Sequence, residues 1–193
     1  MKLYGSIPSP YVRRIRLFLE GRDYQFINLD IFADEDRKLL TDANPAQKIP
    51  ALIDGADCIY DSGVIYRYLT EKFQLPNLTW QQENLLTLID AVNDSLVSML
   101  ILKRSGFDIE EDKFFFNLQR ERCQQVLTVL DNEAEKGSFD EWNYLTMSLY
   151  ALLDWIQFRE LYDLTPYSAL NEAVNKLINK DIVKSTDPRL ADS

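Results

Sequence analysis

The stretch NPAQKIPALIDGADCIYDSGVIYRYL, residues 44–69, predicts a β-hairpin that leads directly into a helix. Residues 51–53 and 58–60 are rich in strand-forming side chains, and Asp-Gly-Ala-Asp at 54–57 is typical of the tight turn between two strands. Pro50 opens the first strand, where its missing N–H is tolerated and the preceding peptide bond can be cis. Asp61 and Ser62 stand where the helix begins, because both residue types favour helix starts.

The same stretch indicates a class of ligand. Ile49 and Pro50, at the start of one strand, are expected near a helix start that offers a carboxylate from Asp61 and a hydroxyl from Ser62. An extended backbone beside a proline can pair with another peptide backbone, and the helix start can bind charged groups. The pattern therefore favours a ligand that has both a peptide-like backbone and a charged end.

The chain before this stretch predicts an α/β layer. Residues 1–5 and 24–31 have strand patterns, and a short helix is expected over about 34–41. Ser9 followed by Pro10, with Gly21 at the far end, is a complete helix signature. The resulting order β-α-β-α-β-β-α indicates a sheet in which a helix connects parallel neighbours.

The chain after this stretch predicts a second, all-helical domain. Thr79-Trp80-Gln81-Gln82 has the pattern of a capping box. Helices are expected over about 80–105, 112–136, 143–162 and 166–179. The predicted division is residues 1–75 for the α/β domain and residues 80–193 for the helical domain, with a linker at about 76–79.

Composition narrows the possible functions. The formal charge is 21 − 31 = −10, and this acidity argues against binding to nucleic acid phosphates or to anionic membranes. The chain contains no histidine, which excludes imidazole-based catalytic triads and histidine-ligated metals, and we expect no metal. Cys58 and Cys123 are interpreted as buried thiols in a reducing compartment. No apolar signal segment and no run of transmembrane length is recognised, so we expect a cytoplasmic protein.

Three motifs together resemble the glutathione transferase family: SPYVRR at 9–14, KIPAL at 48–52 and Asp-Ser at 61–62. The resemblance covers essentially the whole chain and implies a thioredoxin-like N-terminal domain followed by a helical C-terminal domain. It implies that the backbone of Ile49, before a cis Pro50, pairs with the cysteine of glutathione. It also implies that Asp61 takes the γ-glutamyl ammonium and that Ser62 takes the γ-glutamyl carboxylate.

Ser9 is the candidate catalytic residue. The resemblance is greatest to serine-bearing bacterial members, in which this hydroxyl activates the glutathione thiol. From the residues alone, Ser9 could equally serve only as a helix cap, and the two roles are compatible. The predicted glutathione contacts are Ser9, Tyr11, Arg13, Lys48, Ile49, Pro50, Asp61 and Ser62. Within this set, Lys48 is the first choice for a carboxylate contact. Arg13, Arg14 and Arg16 form a basic patch that could also be an ordinary solvated helix face.

The resulting hypothesis is a homodimeric glutathione transferase that uses glutathione as co-substrate against small electrophiles. One alternative is a non-catalytic member of the same fold that binds other proteins, as in stringent-starvation-type regulators. A second alternative is a glutathione-dependent disulfide reductase. Serine at position 9 cannot form a mixed disulfide, which disfavours redox chemistry through a thiol of the protein at that position.

Overall fold

The structure is a computed structural model that describes residues 1–31 and 33–192, and the chain divides into two units. The first unit comprises Met1–Asn77 together with Ile178–Ser193, and the second comprises Leu78–Leu177. Each unit has its own buried apolar core.

A four-stranded sheet forms the centre of the first unit. Its strands are β1 (Lys2–Gly5), β2 (Gln25–Asn28), β3 (Ala51–Asp54) and β4 (Asp57–Tyr60). They lie in the order β2-β1-β3-β4, with β1 parallel to β2 and antiparallel to β3, and with β3 antiparallel to β4. This topology confirms the predicted thioredoxin-like domain. β2 is shorter than predicted because its partner β1 ends at Gly5, which pairs with Asn28.

Three helices accompany the sheet: α1 (Pro10–Phe18), α2 (Asp34–Ala43) and α3 (Ser62–Phe73). Helices α1 and α3 pack against each other. The core of this unit contains fully buried apolar side chains from the strands and from both of these helices. They include Leu3, Ile15, Leu52, Ile65 and Leu69.

Gly5, at the end of β1, allows α1 to approach the sheet closely. A Cβ atom at this position would lie 2.5 Å from Cγ2 of Val12, well inside van der Waals contact. Val12 is fully buried, so it has little room to move. The absence of a side chain at Gly5 therefore fixes where the start of α1 lies relative to the end of β1.

The second unit is helical, as predicted: α4 (Trp80–Arg104), α5 (Phe114–Glu135), α6 (Tyr144–Arg159) and α7 (Ser168–Asn175). The capping box is confirmed, since Thr79 Oγ1 accepts from Gln82 N and Thr79 N donates to Gln82 Oε1. Helix α6 is buried from Tyr144 through Ile156 and forms the centre of this unit. Helix α4 packs against both α5 and α6.

Helix α4 corrects one expectation from the sequence. Among the described residues it is a helix long and apolar enough to cross a membrane by length and composition alone. This is weak evidence for a membrane span, because a core helix of a soluble protein can have the same length and composition. One face of α4 is buried in the second unit, through Leu86, Ile89, Val92 and Leu96.

The C-terminal segment also differs from the prediction. Instead of one helix to about residue 179 inside a domain 80–193, α7 ends at Asn175. A short helix α8 (Asp181–Ser185) and a 3₁₀ turn (Pro188–Asp192) then follow within the first unit. This segment is held against α1 by Arg13, a buried guanidinium that donates to the carbonyl oxygen of Val183 at 3.1 Å and to Thr186 Oγ1 at 3.5 Å. A charged donor near the last carbonyls of α8 ties this segment to α1.

We predict that Arg13→Met lowers the free energy of unfolding by about 1–3 kcal/mol, because the buried Val183 carbonyl loses a charged donor. Chemical denaturation measures this loss, and hydrogen exchange should become faster at the amides of residues 182–187. Arg22→Met is the matched control. Arg22 is exposed and lies over the Phe73 ring at 4.3 Å, so its loss should cost less than about 1 kcal/mol. Equal losses in the two variants would contradict the role given to Arg13.

Candidate functional site

The register of the sheet brings three separate segments to one edge, which is formed by the last residues of β1 and β4 and the first residue of β3. Tyr4 near the end of β1 pairs with Ala51 at the start of β3, and Ala51 pairs with Tyr60 at the end of β4. The loop that enters α1, the segment that precedes β3 and the start of α3 therefore all lie at this edge. These are the segments that carry the predicted site residues.

Ser9 caps α1. Its Oγ accepts from the backbone N–H of Val12 at 3.3 Å, and its own N–H donates to the carbonyl oxygen of Ser6 at 3.0 Å. Pro10 takes the first helical position, as the sequence predicts. Ser9 is only half-buried, so its hydroxyl is both at the positive end of the helix and within reach of a bound molecule. Capping is thus an observed role of Ser9.

The segment before β3 is shaped by Asn44. This buried side chain donates from Nδ2 to the carbonyl oxygen of Lys48 at 2.7 Å and accepts at Oδ1 from the N–H of Ala46 at 2.9 Å. The Ile49–Pro50 peptide bond is cis, as predicted. The side chain of Lys48 is exposed at this loop, which leaves it accessible to a charged ligand.

Helix α3 begins where the sequence predicts, at Asp61 and Ser62. Asp61 is the N-cap, and its Oδ1 accepts from the N–H groups of Gly63 at 2.9 Å and Val64 at 3.1 Å. Its φ of 73° lies in the left-handed region, which is unfavourable for most residues but better tolerated by Asp and Asn. Ser62 is the first helical residue and is buried, so it does not share the capping role.

Arg14, which the sequence places only within a general basic patch, contacts two of the predicted site residues. Its Nη2 donates to Ser62 Oγ, and its guanidinium carbon lies 5.1 Å from the centre of the Tyr11 ring. Arg14 and Ser62 are only 2% and 1% exposed, so the contact is closed to solvent. Arg14 thereby joins two predicted site residues, one on α1 and one on α3.

Arg13 does not join this group. Its guanidinium donates to the C-terminal segment described above, and its contact with glutathione stays a prediction. The alternation is a helical effect: adjacent residues on α1 project about 100° apart, so Arg13 and Arg14 serve different neighbours. The sequence could have distinguished Arg13 from Arg14 only through the position of each residue relative to the face of α1 that packs on α3.

Comparison with known proteins relates the first unit to a described domain family. The sequence profile described as "Glutathione S-transferase, N-terminal domain" matches residues 3–77, which is nearly the whole continuous part of the first unit. The GST-like protein YibF of Escherichia coli K12 is 28% identical over 175 residues, covering 83% of this chain and 84% of that protein. Mouse maleylacetoacetate isomerase is 25% identical over 195 residues, covering 91% and 86%.

Solved structures show the same fold over both units. A glutathione S-transferase from Methylobacillus flagellatus KT, solved with GSH bound, superposes with a TM-score of 0.84 and 21% identity, covering 97% of this chain and 98% of that one. A glutathione transferase family member from Pseudomonas fluorescens Pf-5, solved with bound glutathione, gives a TM-score of 0.80 at 23% identity, covering 97% and 98%.

The two cysteines, Cys58 and Cys123, are free thiols, and only one of them is buried as predicted. Cys123 is buried, and burial raises the pKa of its thiol to about 11. Cys58 is exposed because β4 is the edge strand. Its Sγ lies 2.9 Å from the carbonyl oxygen of Ala43, to which it donates, and partial burial raises its thiol pKa. Both thiols are therefore largely protonated at neutral pH, which disfavours each as a nucleophile.

We predict that two substitutions at Asp61 distinguish the contribution of its capping hydrogen bonds from the contribution of its negative charge. Asp61→Ala should lower the free energy of unfolding by about 0.5–2 kcal/mol, because two N–H groups lose their acceptor. Asp61→Asn should retain most of that stability, since asparagine is an equally good N-cap and tolerates a positive φ. Chemical denaturation of both variants checks this. If Asp61→Ala is as stable as the wild-type protein, the cap at α3 does not contribute as described.

Proposed function

We propose that this protein is a glutathione transferase enzyme, which binds glutathione at the described edge of the sheet and presents its thiolate to small electrophiles. The observation that carries the proposal is the register of Tyr4, Ala51 and Tyr60. It gathers a hydroxyl at one helix start, the backbone before Pro50, and a carboxylate and hydroxyl at a second helix start. The match of residues 3–77 to the glutathione S-transferase N-terminal profile, and the similar structures solved with bound glutathione, support the same proposal.

The residues present fit the functional groups of glutathione. Asp61 supplies a carboxylate for the γ-glutamyl ammonium, and Ser62 supplies a hydroxyl for the neighbouring carboxylate. The backbone of Ile49, next to the cis bond, pairs with the cysteinyl residue. Lys48 is exposed beside it and supplies a cation for a second carboxylate. Tyr11 lies on the first turn of α1, close in sequence to Ser9.

Ser9 stabilises the thiolate in this proposal. A free thiol has a pKa of about 8.5, so only a few per cent is ionised at pH 7. Lowering that pKa by about two units requires about 2.7 kcal/mol of preferential stabilisation of the thiolate. A hydroxyl donor together with the positive end of α1 can supply an energy of this size. The hydroxyl hydrogen is free for this donation while the oxygen accepts from Val12 N–H.

The reaction then needs little further chemistry from the protein. The sulfur forms a bond to the electrophilic carbon. In a substitution the leaving group departs with its bonding electrons, and in an addition to an activated double bond the π electrons move to the neighbouring carbon, which then accepts a proton. Holding the sulfur at the start of α1 makes the attack effectively unimolecular once the electrophile is bound.

Similarity to mouse maleylacetoacetate isomerase favours a second candidate. This candidate is a glutathione-dependent isomerase. The same thiolate adds to a conjugated double bond, the resulting single bond rotates, and the thiolate is expelled. Glutathione is then returned unchanged. Loss of free thiol during turnover indicates conjugation, and substrate conversion without loss of thiol indicates isomerisation.

The two alternatives from the sequence give other outcomes. A non-catalytic interaction protein would give no turnover with any thiol acceptor. A disulfide reductase would turn over a mixed disulfide in preference to a dinitrohalobenzene. The proposed homodimer is tested by light scattering, where a monomer at micromolar concentration would contradict it.

We predict that Ser9→Ala lowers kcat/KM for conjugation by about 10- to 100-fold and moves the pH–rate profile to higher pH, because the thiolate loses a donor. The same variant should lose about 1 kcal/mol of stability with the cap. The measurement is a pH–rate profile with a dinitrohalobenzene as electrophile.

Thr79→Ala is the matched control for that experiment. Thr79 caps α4 with the same 3.3 Å contact from its hydroxyl to a backbone N–H, so it should lose similar stability without a change in rate or pH profile. If Ser9→Ala behaves like Thr79→Ala, Ser9 is only a helix cap, and activation must come from backbone N–H groups or from Tyr11.

A further inference from the structure

In the candidate site, the hydroxyl of Ser62 is hydrogen-bonded to the buried guanidinium of Arg14. Ser62 lies at the start of α3 with its side chain 1% exposed, and its Oγ accepts a hydrogen bond from Nη2 of Arg14. A guanidinium is positively charged at every physiological pH and can only donate. The direction of this hydrogen bond is therefore fixed, with Ser62 as the acceptor.

This direction determines what the Ser62 hydroxyl can offer a ligand. Its oxygen takes the Arg14 hydrogen bond, so its single O–H hydrogen is the group that can be directed to another acceptor. Hydrogen bonds to a charged group polarise the hydroxyl and make it a stronger donor. The charge of Arg14 also favours an anion at this point, since the contact is closed to water and weakly screened.

The other basic side chains nearby have different environments. Arg13 is directed to Val183 and Thr186, and the guanidinium carbon of Arg16 lies 4.4 Å from the centre of the Phe26 ring. Lys48 is exposed on the loop before β3, where solvent screens its charge. Arg67, on α3 itself, has its Nη1 3.6 Å from the position that a Cβ at Gly63 would take. Arg14 is distinguished from these side chains by its direct hydrogen bond to Ser62 Oγ, which it makes from another helix.

We infer that Arg14 is a specificity-determining positioning residue, which acts through Ser62 to select the α-carboxylate of the γ-glutamyl group. The inference rests on the proposed glutathione site and adds the residue that makes it selective for an anion. Tyr11, whose ring centre lies 5.1 Å from the Arg14 guanidinium carbon, helps to hold that side chain in place. Asp61, in contrast, selects the ammonium of the same group.

Calorimetric titration with three tripeptides tests this assignment. The first is reduced glutathione, the second is 4-aminobutyryl-Cys-Gly, which lacks the α-carboxylate, and the third is glutaryl-Cys-Gly, which lacks the ammonium. Arg14→Gln should bind glutathione and glutaryl-Cys-Gly about tenfold more weakly than the wild-type protein does. Its affinity for 4-aminobutyryl-Cys-Gly should be unchanged, because that ligand has no carboxylate at this position.

Two matched variants complete the design. Asp61→Asn should give the converse pattern, with weaker binding of the two ligands that carry the ammonium and unchanged binding of glutaryl-Cys-Gly. Arg16→Gln, a neutralised arginine on the same helix, should leave all three affinities unchanged. Because Arg14 acts through Ser62, adding Ser62→Ala to Arg14→Gln should weaken binding by less than the product of the two single effects.

The outcomes distinguish this inference from the proposed function. If the wild-type protein binds none of the three peptides, the glutathione site itself is wrong. If the wild-type protein binds glutathione but Arg14→Gln weakens all three ligands equally, Arg14 is only structural and the inference is overturned. Should Arg14→Gln fail to fold, Arg14→Lys decides the question. It keeps the charge without the guanidinium fork, and it should weaken the two carboxylate ligands by several-fold while sparing the third.

Discussion

The antiparallel pairing of β1 with β3 is the constraint on which the rest of the first unit depends. Because Tyr4 pairs with Ala51, the chain leaves β1 at the same edge of the sheet where it enters β3. The pairing of Ala51 with Tyr60 adds the end of β4 to that edge. A parallel arrangement of β1 and β3 would place these segments at opposite ends of the sheet, and no common site could form.

The packing of α1 on the sheet refines this arrangement. Gly5 permits the close approach of Val12, and this approach fixes the start of α1 near the end of β1. The contact of α1 with α3 then brings Arg14 to Ser62, a pair that lies 48 residues apart in sequence. Backbone register therefore sets the location of the candidate site, and side-chain contacts between the two helices set its charge.

Local sequence signals predicted much of the fold and part of the site. The caps at Ser9 and Asp61, the capping box at Thr79 and the 54–57 turn depend on neighbouring residues, so the sequence contains all the information that they need. The partners of Arg13 and Arg14 could not be read in this way, because they depend on which faces of α1 meet other parts of the chain. The C-terminal segment was assigned to the helical domain for the same reason, since its contact with Arg13 spans 170 residues.

The central claim is that three segments at one edge of the sheet form a single glutathione site, and amide chemical shifts measured by NMR test it most directly. Addition of reduced glutathione should shift the amide signals of residues 9–14, 48–51 and 61–64 together, with one common dissociation constant. Amides at the turn end of the hairpin, residues 54–57, lie at the opposite end of β3 and should change least within the sheet. Shifts confined to one of the three segments, or absent from all of them at millimolar glutathione, would contradict the account.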